Sequence, residues 1–193
     1  MKALLRWKQS YHIFLGAHHQ KSQLTAKQLS SESAYRSVEP LRIDVESDES
    51  TNAAFKKITQ KFNRVACLIH NAGACFDSYI GKEITARQAW NRTWDVNVSR
   101  AHAMTIASLL LLLNSQHPRL LFITGGLSSL QAASYSSNQK NVIPAAGLPK
   151  TLPFVGYWSA KAGLNMLMVE WAKALRKDGV KVWVVAPEAC SPH

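Results

Sequence analysis

Val65-Ala66-Cys67-Leu68-Ile69-His70-Asn71-Ala72-Gly73 (VACLIHNAG) is an unbroken apolar run closed by a polar, glycine-ended turn. A strand with one wet face alternates polar and apolar residues, whereas a strand of a parallel sheet covered on both faces does not. The run is therefore read as an inner parallel strand, and the turn as its C-terminal end. Similar strands lie on either side: residues 11–16 (YHIFLG), 38–45 (VEPLRIDV), 119–124 (RLLFIT) and 180–185 (VKVWVV).

Helical periodicity fills the intervals. Residues 1–8 read as the last turns of a helix, and residues 21–30 as a second one. A third is capped by Asp48 or Ser50 and repeats Ala53, Ala54, Ile58 and Phe62. A long one runs from about residue 85 to 113 with a break near Asp95, and the last spans residues 157–177, with Ala160, Leu164, Leu167, Met168, Trp171 and Leu175 on one face. Gly179 follows at the position a helix C-terminus favours. Strand and helix alternate, so the expected fold is α/β, a doubly wound, mostly parallel, Rossmann-like sheet. Ligands of such sheets bind at strand C-terminal ends. Here those ends are Gly16-Ala17, Asp44-Val45, His70-Asn71, Thr124 to Gly126 and Ala186-Pro187.

Composition narrows the class. The 193 residues, 47% apolar, fit one domain over the whole chain. The net charge of +11 comes from scattered bases rather than a stripe interleaved with aromatics, which argues against a nucleic-acid partner. Cys67, Cys75 and Cys190 are an odd number without metal-ligand spacing, implying reduced thiols, no metal and a cytoplasmic location. Serines and the lack of acid before Glu32 imitate a transit peptide, but no secretory signal is present. The longest apolar run, 103–113, is too short for a bilayer, so neither a membrane span nor a membrane partner is expected.

Chemistry centres on Tyr157-Trp158-Ser159-Ala160-Lys161. Residues four apart share a helix face, so a phenol and an ammonium converge on one ligand. The ammonium is expected to lower the phenol pKa, as a proton donor to a carbonyl or a base for an alcohol requires.

With IDV (43–45), LIHNAG (68–73), DVNV (95–98), YWSAK (157–161) and VKVWVVAP (180–187) in this order, the chain resembles the short-chain dehydrogenase/reductase superfamily in its one-domain form, fungal members in particular. The resemblance covers nearly the whole chain. It implies that Tyr157 exchanges the proton with the carbonyl or hydroxyl oxygen, that Lys161 lowers its pKa and holds the nicotinamide ribose, and that Asn97 anchors a water relaying protons to Lys161. It further implies that Asp44 reaches the adenine, that Asn71, Ala72 and Gly73 border the adenosine ribose, and that Pro187 lies beside the nicotinamide. An acid after the second family strand selects NAD; Gly16-Ala17-His18-His19 with Lys21 instead favours NADP, with His18 in the cofactor site. The implied function is NADP-dependent hydride transfer with a small carbonyl or alcohol substrate, in a homo-oligomer built through helices 97–113 and 157–177.

Three departures from the family pattern stand out. The glycine-rich turn and the strand before it are absent; in the family order 3-2-1-4-5-6-7 that strand lies between those at 11–16 and 65–69. The position of the family's catalytic serine is Gly125, leaving Ser128 or Ser129 to take its place. The Pro-Gly turn reads Pro187-Glu188, and the elements expected after it do not follow. These departures support an alternative, a truncated and catalytically inactive relative that acts as a binding or interaction module, or an incomplete gene product.

Overall fold

In the computed structural model, residues 11–17, 28, 37–135, 141, 143–150 and 154–187 are described. The expected helices at 1–8 and 21–30, His18, Glu188 and Cys190 lie outside them, apart from Gln28, which is helical. Strands and helices alternate with parallel pairing, the expected α/β Rossmann-like fold. The single domain anticipated from sequence is divided into two compact units, Met1–Lys61 and Phe62–His193.

The first unit contains β1 (His12–Ala17), β2 (Ser37–Arg42) and helix α1 (Asp48–Lys61). The strands pair in parallel, from His12 opposite Ser37 to Ala17 opposite Arg42. Leu41, Ile43, Ala54, Phe55 and Ile58 are buried, whereas Ala53, expected on the apolar face, is exposed. Neither Asp48 nor Ser50 is the N-terminal cap of α1. Ser47 fills that role, its Oγ accepting from Ser50 N at 3.0 Å and its carbonyl from Thr51 N at 3.0 Å. Glu39 on β2 meets His12 at 3.2 Å, Lys57 at 3.2 Å and Lys61 at 2.5 Å. The Lys61 hydrogen bond is the main reason its carboxyl pKa falls to about 2.

The second unit is built on β3 (Cys67–His70), β4 (Arg119–Ile123) and β5 (Lys181–Val185), parallel and in that order. His70 lies opposite Phe122, and Phe122 opposite Val184.

Between β3 and β4 runs one continuous helical rod: α2 (Ala86–Trp94), a π-helical turn (Asp95–Ser99) and α3 (Arg100–Leu113). Thr85 starts it with a capping box, accepting from Gln88 N while its own N–H donates to Gln88 Oε1. The expected break near Asp95 is thus a widened turn rather than a kink, and Arg100 N bonds back to Asp95 O across it. After β4 come a 3-10 turn (Gly126–Ser128), the short helix α4 (Leu130–Ser134) and α5 (Val155–Ala174), which begins two residues before Tyr157.

The core lies on one face of this sheet. Leu120 and Phe122 from β4, Ala101 from α3, Leu164 from α5, and Leu175 and Val180 beyond it form one cluster, packed by Leu68, Leu167, Met168, Trp171 and Val184. The opposite face is more exposed. Ile69, Trp183 and Val185 are 36–45% exposed, and no described element of this unit covers them.

Residues 86–113 also form the one described helix, 28 residues long, that contains an 18-residue window with the mean hydropathy (1.4) of a bilayer span, against the eleven-residue run judged from sequence. Its Ala101, Thr105, Ser108, Leu111 and Leu112 are buried. The two hydroxyls are satisfied within the helix, Thr105 on Ala101 O (2.8 Å) and Ser108 on Thr105 O (3.0 Å). That is the pattern of a helix seated on a sheet.

Candidate active site

β3 ends at His70, and Asn71, Ala72 and Gly73 follow it into solvent. His70 itself turns inward at 6% exposure, stacked on Phe122 at 4.9 Å. Its Nε2 is 2.8 Å from Thr105 Oγ1, which already donates to Ala101 O, so His70 is the donor in this bond. Burial lowers its pKa from 6.5 to about 4. Above pH 6.5 both the folded and unfolded chains hold it neutral; below that the unfolded chain takes up a proton that the folded one refuses until about pH 4. This group should therefore remove about 3 kcal/mol of stability between those pH values. Urea unfolding at a series of pH values checks this, and His70→Gln should flatten the dependence.

Gly73 is where the site closes. A Cβ there would stand 2.7 Å from Asn97 Oδ1 and 3.1 Å from Lys161 Nζ. Two of the chain's own polar side chains thus stand against this glycine.

Asn97 lies in the π turn at 1% exposure. Its amide nitrogen donates to Ala74 O at 2.7 Å and Thr93 O at 2.8 Å, which leaves Oδ1 a buried acceptor with no partner among the described residues. Lys161 reaches the same place from α5. It is 4% exposed and donates to Ile123 O at 2.9 Å, and no carboxylate pairs with it among the described residues. Burial lowers its pKa.

Tyr157, one turn earlier, is half-buried, with Lys161 Nζ 5.6 Å from its ring centroid. The expected lowering of the phenol pKa is not found in this arrangement. Burial raises it, and the neighbouring Cys75 adds to the rise, while Lys161 spends a hydrogen bond on the β4 carbonyl.

The remaining expected residues divide. Ser128 is buried, and its hydroxyl donates to Gly125 O at 2.6 Å while accepting from Thr124 Oγ1 and Asn165 Nδ2, both at 2.9 Å. Its proton is engaged within the chain rather than offered to a ligand. Ser129 caps α4 through Ala132 N. Pro187 is exposed two residues past β5. Asp44, in the first unit, accepts from Glu46 N at 2.9 Å and shapes the turn before α1, the role of a strand-end cap.

Sequence reasoning missed Thr93, Asp77 and Asn165. Asn165 was findable, since 157, 161 and 165 form one stripe along α5. For Asp77 nothing local signals a bond to a helix 79 residues away.

Polar groups gathered at the C-terminal ends of β3 and β4, on a helix that docks there, define a Rossmann-like α/β domain. The profile of the family described as enoyl-(acyl carrier protein) reductase matches residues 7–191. The chain is 40% identical over 195 residues to the short-chain dehydrogenase/reductase eupG of a Phoma species, covering 96% of this chain and 70% of that one. It is 39% identical over 192 residues to the short-chain dehydrogenase/reductase tropE of Talaromyces stipitatus, covering 97% and 71%. Among solved structures, the NADPH-bound carbonyl reductase from chicken fatty liver superposes with a TM-score of 0.71 at 18% identity over 96% of this chain and 71% of that one. The chain belongs to the short-chain dehydrogenase/reductase superfamily of oxidoreductases.

Proposed function

We propose that the chain is an NADP-dependent reductase or dehydrogenase of small carbonyl or alcohol substrates. The observation that carries this is Lys161, a buried ammonium without a carboxylate among the described residues, set beside the unpartnered Asn97 Oδ1. An unpaired buried charge is costly, and a site that keeps one is built for a ligand's hydroxyls or water. The ribose of a nicotinamide dinucleotide fits that donor and acceptor. When bound, the dinucleotide supplies or takes the hydride. Lys161 Nζ has two N–H groups beyond the one on Ile123 O and would hold the ribose hydroxyls. Asn97 Oδ1 would fix a water next to Lys161, Tyr157 Oη would give its proton to the substrate oxygen, and Asn71 to Gly73 would border the ribose. Asp44, His18 and Pro187 complete the proposed cofactor contacts. NADP is preferred over NAD because His18, His19 and Lys21, rather than an acid, follow the first strand.

A phenol whose pKa is raised by burial stays protonated across neutral pH. Reduction should accordingly hold a plateau there and fall only above the ordinary phenol value of 10.0. A pH–rate profile with its basic limb near neutrality would contradict this. The engaged hydroxyl of Ser128 favours a second reading, a protein that binds ligand without turning it over. Calorimetric titration of NADP and NAD into the folded protein, with circular dichroism on the same sample, tests the first reading. Micromolar NADP binding with weaker NAD is expected, and a folded sample that binds neither overturns it.

We further infer a soluble homo-oligomer. On α3 and α5, Ile106 is 54%, Leu110 70% and Met166 57% exposed, apolar surface of the kind a second subunit covers. Leu110→Glu should shift the mass measured by light scattering to that of the monomer.

A further inference from the structure

A buried carboxylate stands at the head of the helix that carries Tyr157 and Lys161. Asp77, 9% exposed, opens a 3-10 turn (Asp77–Tyr79) that follows the Gly73 turn. Its Oδ1 accepts from Gly156 N at 2.9 Å and its Oδ2 from Tyr157 N at 3.0 Å, while Cys75 donates its thiol hydrogen to Oδ2 at 3.2 Å. The first N–H groups of a helix have no partner within it, and a Ser, Thr, Asp or Asn just before the helix normally supplies one. Phe154, at that position, offers no side-chain cap. Gly156 is shaped for the distant carboxylate, because a Cβ there would lie 2.9 Å from Oδ1 and 3.3 Å from Oδ2.

A local cap would have stabilised α5 equally well. What a cap from Asp77 adds is a fixed distance between two parts of the site. The segment leading to it is held at its other end: Asn97 Nδ2 donates to Ala74 O, Phe76 N donates to Thr93 Oγ1 at 3.2 Å, and the Arg92 guanidinium lies 4.2 Å over the Phe76 ring. Residues 74–77 therefore bind the rod that carries Asn97 to the first turn of α5.

We propose that Asp77 is a positioning residue for Tyr157, setting the phenol against the Gly73 turn and Asn97. This rests on the proton-transfer role of Tyr157 argued above, and the experiment separates the two. Amide hydrogen exchange followed by NMR needs no turnover. Gly156 and Tyr157 should be protected in the wild type and should exchange at least about tenfold faster in Asp77→Ala, with Leu164 unchanged. Turnover is read with NADPH and 9,10-phenanthrenequinone as probe carbonyl. Asp77→Ala should lose about 30-fold or more in kcat with KM for NADPH within about threefold, and added formate should restore part of the rate in this variant but not in Tyr157→Phe.

Gly156→Ala is the sharper variant. The added Cβ would press on both Asp77 oxygens, so a merely structural cap predicts a lower thermal midpoint with kcat within about threefold of wild type, whereas a positioning role predicts a loss of about tenfold in kcat. Unprotected Gly156 and Tyr157 amides in the wild type overturn the proposal, and so does kcat within about threefold of wild type in both variants. A wild type without turnover counts against the proposed function, and the exchange measurement then decides the tie alone.

Discussion

Tyr157→Phe should lower kcat by about 10²–10⁴-fold, the usual worth of a positioned proton donor, while NADP affinity moves by no more than a few-fold. The substitution removes one oxygen and keeps the ring. The backbone N–H of residue 157 still donates to Asp77, and the fold around Ala160 and Leu164 is untouched. Any loss is therefore chemical. Steady-state kinetics on one carbonyl substrate, with calorimetry on the same samples, separates the two parameters. A variant within about threefold of the wild type would end Tyr157's assignment as the acid and move attention to a bound water at Asn97.

Phe122→Ala should cost about 3–5 kcal/mol of stability. Phe122 is fully buried on the central strand of its sheet, between the ladders to β3 and β5, and it belongs to the cluster with Ala101, Leu164, Leu175 and Val180. Strands on both sides hinder collapse of the backbone into the space left behind, so the cost should sit at the upper end. The ring also walls off His70, and opening that wall lets solvent reach the imidazole. The variant should thus lose part of the acid sensitivity expected of His70 as well as stability. Urea unfolding at pH 7 and pH 5 measures both. A loss under about 1 kcal/mol would mean that the core is not centred on this ring.

The strands were legible from apolar, β-branched composition, although burial along them alternates from face to face. The runs at 67–70, 119–123 and 181–185 are apolar without alternation, and their order gives parallel pairing. The Tyr157–Lys161 pair was legible from its four-residue spacing together with the ordered motifs at the strand ends around it, and an interruption of the long helix was expected near Asp95. Three things were not. Ser128 offered a plausible hydroxyl, but its bonds to Gly125, Thr124 and Asn165 depend on how the loop after β4 folds back, which no local pattern encodes. The pKa of Tyr157 was misjudged because residue spacing reports proximity and not where an ammonium points; Lys161 points at the Ile123 carbonyl. Asp77 was invisible because its distant partners are backbone N–H groups, which nearly every residue has.

The π turn at Asp95–Ser99 bears on how such a site can change over time. One residue beyond the regular count advances everything downstream by about 100° around the axis. Upstream, Trp94 lies so near α5 that a Cβ at Gly163 would come within 2.6 Å of its ring; downstream, Ala101, Thr105, Ser108 and Leu112 are buried. Substitutions can tune either surface separately. Losing a single codon between Asp95 and Ser99 would restore an ordinary helix, swing one surface out of contact and carry Asn97 away from Gly73. The site is thus open to gradual drift in its side chains but closed to drift in its length.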